Sequence, residues 1–137
     1  MVILGAPCNQ FGYQEYGNPQ EILNILKYVR PGNGFEPKFS LLEKGDVNGE
    51  KAQPLFRFLR ASRPIQDDRD IEADIEKPPS TFPILHNPIT SSDVLWNFEK
   101  FLVNRSGEVA HRFTPAFPPE NMAKTIETLL AEKVAAV

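Results

Sequence analysis

Cysteine is nearly absent. Cys8 stands alone among 137 residues, so no internal disulfide can staple the fold and no second thiol can resolve an oxidised first one. Histidine is scarce as well. His86, His111 and Cys8 lie too far apart to form the close ligand pairs of a structural zinc site, so no metal is expected. No apolar run nears the roughly 18 residues a membrane span needs. Basic excess is missing too: the net charge is −3, which argues against nucleic acid or an anionic lipid surface as partner. The first residues carry no charged stretch and no cleavage pattern of a signal peptide. The compartment is left unknown, with a cytoplasmic setting favoured and secretion open because the native N-terminus is unseen.

What is present is ordinary for a folded domain. Hydrophobic residues make up 41% and charged residues 24%, enough apolar side chain for a core in one domain over residues 1–137. The run Met1-Val2-Ile3-Leu4-Gly5 reads as a strand buried on both faces. Natural domains seldom open inside such a strand, so the start is expected to be a cut. Asn18-Pro19 with Glu21 is a helix start, and Ile22, Ile25, Leu26 and Val29 follow one helical face. Residues 39–44 alternate as a strand, Asp46-Val47-Asn48-Gly49 turns the chain, and Pro54 opens a short second helix. Residues 98–103 and 108–113 form a hairpin across Asn104-Arg105-Ser106-Gly107. Pro118-Pro119 begins a last helix with Met122, Ile126, Leu129, Leu130 and Val134 on one stripe.

Residues 63–93 differ. They hold five of the thirteen prolines, and within them residues 66–77 carry six acids against two bases. A solvated, partly mobile surface loop is the plain expectation. The element order β-α-β-α-loop-β-β-α gives an α/β domain.

Three stretches carry a resemblance. Ile3-Leu4-Gly5-Ala6-Pro7-Cys8-Asn9-Gln10-Phe11-Gly12-Tyr13-Gln14-Glu15 resembles the signature loop of the glutathione peroxidase family. Leu26-Lys27-Tyr28-Val29-Arg30-Pro31-Gly32-Asn33-Gly34-Phe35 resembles the oligomerisation loop of its tetrameric animal members. Trp96-Asn97-Phe98-Glu99-Lys100-Phe101-Leu102-Val103 is similar to their second active-site segment. The resemblance implies a thioredoxin-like fold, with a central sheet and helices on both faces, but lacking the N-terminal strand and helix that carry the nucleophile. It implies reduction of hydroperoxides by glutathione, without a bound cofactor, and a homo-oligomer, a tetramer in the complete form. The nucleophile, a selenocysteine or cysteine, is expected upstream, with an in-frame UGA as one cause of the cut.

The resemblance assigns Gln14, Trp96 and Asn97 to catalysis and places Arg30 and Arg112 where glutathione's carboxylates dock. Their chemistry suits those roles. The amides and the indole supply N–H donors to an anionic nucleophile, and arginine forks match carboxylates. Cys8 is expected to be structural, because no Lys, Arg or His stands close in sequence to lower its pKa. The alternative function is a catalytically inactive fragment acting as a binding or subunit-contact module through residues 30–35.

Overall fold

A computed structural model describes residues 1–70, 72 and 82–132. The chain begins with β1 (Leu4–Gly5), α1 (Pro19–Tyr28), β2 (Ser40–Leu41) and α2 (Pro54–Ser62). It continues with β3 (Lys100–Val103), β4 (Val109–Phe113), a 3-10 turn (Pro119–Met122) and α3 (Ala123–Ala131).

Local chemistry explains the element ends. At α1, the Asn18 side chain accepts from Glu21 N at 2.9 Å while the Glu21 carboxylate accepts from Asn18 N at 2.9 Å. This reciprocal box satisfies two N–H groups that a helix start leaves without partners. The β3–β4 hairpin turns on Asn104, whose side-chain oxygen accepts from the backbone N–H of Ser106 and of Glu108. Lys100 pairs with Phe113 and Phe101 with Arg112, and a bulge follows Leu102. In the last helical stretch only Met122 is buried. Val134 of its predicted stripe lies outside the described residues.

The sheet departs from expectation in two ways. The described residues form two separate two-stranded ladders, β1–β2 parallel and β3–β4 antiparallel, rather than one central sheet. The strand expected to be buried on both faces is instead open: Val2 is 82% exposed and Leu4 54%. Burying such a strand takes neighbours on both edges and a layer on each face. Among the described residues β1 has only β2 beside it. The strand and helix expected to carry a nucleophile are not among the described elements.

The core gathers Cys8, Phe11, Val47, Phe56, Leu59, Val94 and Val109, with Ala6, Trp96 and Phe101 packed against it. It therefore joins the loop after β1, the turn before α2, α2 itself, the segment before β3, and the hairpin.

The 63–93 segment is less solvated at its ends than its composition predicts. Gln66 is buried, Asp67 N donates to Arg112 O at 2.7 Å, and the Asp68 carboxylate accepts from Thr114 N and Oγ1. These bonds tie Asp67 and Asp68 to β4 and to Thr114 just beyond it: the Asp67 N–H donates to a strand carbonyl, and the Asp68 carboxylate takes the Thr114 donors. The middle of the segment, 71 and 73–81, lies outside the described residues.

Candidate active-site surface

The loop after β1 turns at Gly12, whose φ of +63° suits glycine. A Cβ there would sit 3.1 Å from Phe82 and 3.3 Å from Trp96, so the glycine also lets the loop lie against both rings. Trp96 is half-buried, its ring centroid 5.7 Å from that of Phe11 and 5.1 Å from that of Phe82. The next residue reaches back across the chain. Asn97 Nδ2 donates to Gln14 Oε1 at 2.7 Å, between residues 83 positions apart. Tyr13 and Phe98, which flank this amide pair, both have positive φ (+55° and +64°). Non-glycine residues seldom adopt that conformation, and it recurs where surrounding structure holds a functional turn.

The hydrogen bond has a chemical consequence. It uses the Gln14 oxygen as acceptor and leaves the NH2 of this exposed residue as a donor. Neither that amine nor the Trp96 indole N–H has an acceptor among the described residues. The surface thus offers N–H groups suited to an anion. It is open: neither of two clefts, of about 450 and 470 Å³, takes in Gln14, Trp96 or Asn97; one lies between Leu95, Asp68 and the 114–118 turn, the other between α1 and Phe39.

Two buried networks fix this surface from beneath. Gln10 Oε1 accepts from Val47 N and Asn48 N, and its Nε2 donates to Asn48 O at 3.0 Å. Asn48 then bonds both backbone groups of Val94, donating to its O at 2.9 Å and accepting from its N at 2.8 Å. This ties the signature loop to the segment entering Trp96. The second network centres on Asp93. Its carboxylate accepts from Arg60 at 2.5 Å, from Thr90 N and Oγ1, and pairs with His86 Nε2 at 2.8 Å. Burial opposes the charge on Asp93, but the Thr90 and His86 hydrogen bonds outweigh it and hold the carboxyl below its ordinary value.

The comparisons match these same stretches. A glutathione peroxidase family model matches residues 1–60. Glutathione peroxidase 1 of Mus musculus is 50% identical over 133 residues, which is 97% of this chain and 64% of that protein. The Bos taurus protein of the same name is 50% identical over 136 residues, 99% of this chain and 64% of its own. The chain belongs to the glutathione peroxidase family. It spans about 64% of the length of the curated relatives it matches. The crystal structure of T. cruzi GPX1 superposes with a TM-score of 0.56 at 26% identity, covering 94% of this chain and 60% of that one. The structure of Trgpx in apo form gives 0.55 at 28% identity, over 96% and 58%. The fold is the thioredoxin-like α/β fold of this peroxidase family, with part of it lying outside the chain.

Of the residues expected to meet substrate, the structure keeps Arg30 at the surface and removes Arg112. Arg30 is exposed beside the loop leaving α1. Arg112 is 0% exposed: Nε bonds Glu99, Nη1 donates to the carbonyls of Arg63, Pro64 and Ser92, and Nη2 donates to that of Asp93. A glutathione carboxylate cannot reach it without breaking that set. Arg112 is thus a structural cation, corrected from a substrate-facing one. Burial draws its pKa down and the Glu99 carboxylate opposes this. Neighbouring His111 pairs with Asp67 at 2.7 Å. Cys8 is buried, and burial pushes its thiol up, as a structural cysteine requires. The sequence reading missed Gln10, Asn48, Asp93 and Glu99. Gln10 and Asn48 act on residues far along the chain, and although Thr90 and Leu95 are near Asp93 and Glu99, the arginines that pair with these two carboxylates, Arg60 and Arg112, are distant in sequence.

Proposed function

We propose that this chain supplies the hydrogen-bond donors of a glutathione peroxidase site. Hydrogen peroxide or organic hydroperoxides are the oxidants, and glutathione is the reductant. The observation that carries the reading is the Asn97–Gln14 hydrogen bond beside Trp96, which joins two family motifs on one open surface. In the reaction an anionic selenolate or thiolate attacks one peroxide oxygen, the O–O bond breaks, and the alcohol or water leaves. Two glutathione thiols then return the two electrons, forming glutathione disulfide and water. Donors that hold the nucleophile as its anion raise the fraction ready to attack. Gln14 Nε2 and the Trp96 N–H suit that work, and Asn97 orients Gln14. The nucleophile is a selenocysteine or cysteine outside these 137 residues, since no residue here matches it and Cys8 is buried. Arg30 is the cation left to meet a glutathione carboxylate.

The test joins these residues to the nucleophile-bearing segment and follows hydroperoxide-dependent oxidation of glutathione. Turnover is expected, falling on the order of 10²-fold in Gln14→Ala or Trp96→Phe, as loss of one preorganised donor does. No turnover with the nucleophile present, or turnover indifferent to both substitutions, would overturn the reading.

A second reading, a subunit-contact module without catalysis, is favoured by the exposure of Tyr28 (69%), Val29 (58%) and Phe35 (43%) around the loop that follows α1. Apolar surface of this kind is what symmetric homo-oligomers, such as a tetramer, cover. Light scattering on the joined protein separates the two: an oligomer that lacks turnover supports the second, and a monomer with turnover supports only the first.

A further inference from the structure

Between Leu95 and Lys100 the chain reverses direction, and Trp96 and Asn97 ride on that reversal. Its interior is strained at Phe98, whose φ is +64°. The Phe98 ring is 85% exposed, so packing of that ring does not hold the bend. A carboxylate does. Glu99 Oε2 accepts the Leu95 N–H at 2.7 Å, which closes the reversal from its far end onto its start. Glu99 Oε1 accepts from Arg112 Nε at 2.5 Å and from Gln66 Nε2 at 2.9 Å. The side chains of Glu99 and Arg112 are 1% and 0% exposed.

Arg112 is itself fixed by four backbone carbonyls, and its guanidinium lies 4.9 Å from the Phe101 ring centroid. The carboxylate therefore has an immobile counter-charge on one oxygen and the site-bearing turn on the other. A buried ion pair is a poor way to add stability, because desolvation cancels much of the attraction. What it adds is a defined geometry, through charge-assisted bonds of fixed direction.

We propose that Glu99 is a positioning residue: its carboxylate, anchored by Arg112, holds the Leu95–Glu99 reversal in the form that presents Trp96 and Asn97 to Gln14. This rests on the reading of those three residues as the site. It adds a role for the cation that sequence assigned to substrate, since Arg112 acts on the site from behind.

The test uses the 137-residue chain without peroxide or glutathione, so its outcome is independent of turnover. Trp96 is the only tryptophan, so emission and its quenching by acrylamide report the setting of that one ring, which the reversal carries. The Asn97 side-chain amide resonance reports its bond to Gln14, with Gln14→Ala marking the broken state. Glu99→Ala is expected to shift the emission to the red, raise the quenching, and move the Asn97 resonance to the broken position. Glu99→Gln, which retains an oxygen for the Leu95 N–H, is expected to restore most of both signals. Ile22→Ala, in α1 and outside the core cluster, lowers stability and should move neither. Should Glu99→Ala fail to fold, Glu99→Asp decides. It keeps the charge for Arg112 but draws the acceptor back from Leu95, and is expected to give the same shifts. Wild-type signals in Glu99→Asp, or changes in Glu99→Ala no larger than those of Ile22→Ala, would overturn the proposal.

Discussion

Replacing Asn48 with alanine removes one side chain and leaves two backbone groups without partners. Asn48 is 1% exposed, and its amide makes both hydrogen bonds available to the Val94 peptide groups, at 2.8 and 2.9 Å. Val94 is 6% exposed, so water does not readily take the place of the amide. Each buried group left unpaired costs about 1–3 kcal/mol, which puts the loss at roughly 2–6 kcal/mol. A domain of this size is stable by only about 5–15 kcal/mol, so the variant should lose a large share of its stability. Urea unfolding followed by far-UV circular dichroism and Trp96 emission measures it. Asn48→Asp gives a sharper version. Its Oδ1 still accepts from Val94 N, but its second oxygen faces the Val94 carbonyl oxygen and can donate only when protonated. The buried carboxyl is thus raised above its unfolded value of about 3.9. Its stabilising contribution is complete below that unfolded value and is lost as pH rises through the folded one. Relative to the native chain, Asn48→Asp should therefore be least impaired in acid and most impaired at neutral pH. A loss in Asn48→Ala below about 0.5 kcal/mol, the size of an ordinary surface change, would refute the reasoning. So would an Asn48→Asp deficit that does not change with pH.

Two further outcomes follow from the buried groups. Asp93 has its pKa depressed below the ordinary 3.8, so its contribution to stability is complete above that value and is lost as pH falls through the folded pKa. Asp93→Asn should flatten the acid limb of a plot of urea midpoint against pH, and an unchanged limb would count against the Thr90–His86 account. Cys8, buried and with its thiol pushed up, should react with a disulfide reagent only as fast as the chain opens, and completely in urea. Reaction at the speed of a free thiol in the folded chain would show the burial to be wrong.

Much of the site was legible because the family motifs are contiguous. Gln14 lies in one and Trp96 with Asn97 in another, so the residue types could be read before any fold was known. Their meeting could not. It depends on a hydrogen bond across 83 positions and on a turn held at Phe98 against its preferred backbone conformation. Arg112 shows the opposite failure. A lone arginine on a strand next to His111 looks like a surface cation, and only the buried Glu99 carboxylate and four backbone carbonyls converging on it turn it inward.

The sequence alone determined what depends on neighbours a few residues away. Asn18, Pro19 and Glu21 dictate where α1 starts, because the capping bonds span three residues. Asn104 to Gly107 dictate the hairpin for the same reason, with Asn104 bonding residues two and four positions on. The tertiary structure decided the rest. An apolar run such as Val2-Ile3-Leu4 states a need for burial but not whether a layer is there to meet it, and here β1 stands largely exposed. Gln10, Asn48, Asp93 and Glu99 are polar residues whose burial is tolerable only because partners converge on them, most from more than a dozen positions away. Such partners are brought within hydrogen-bonding distance by the packing of separate elements, and no local pattern of residues encodes that distance.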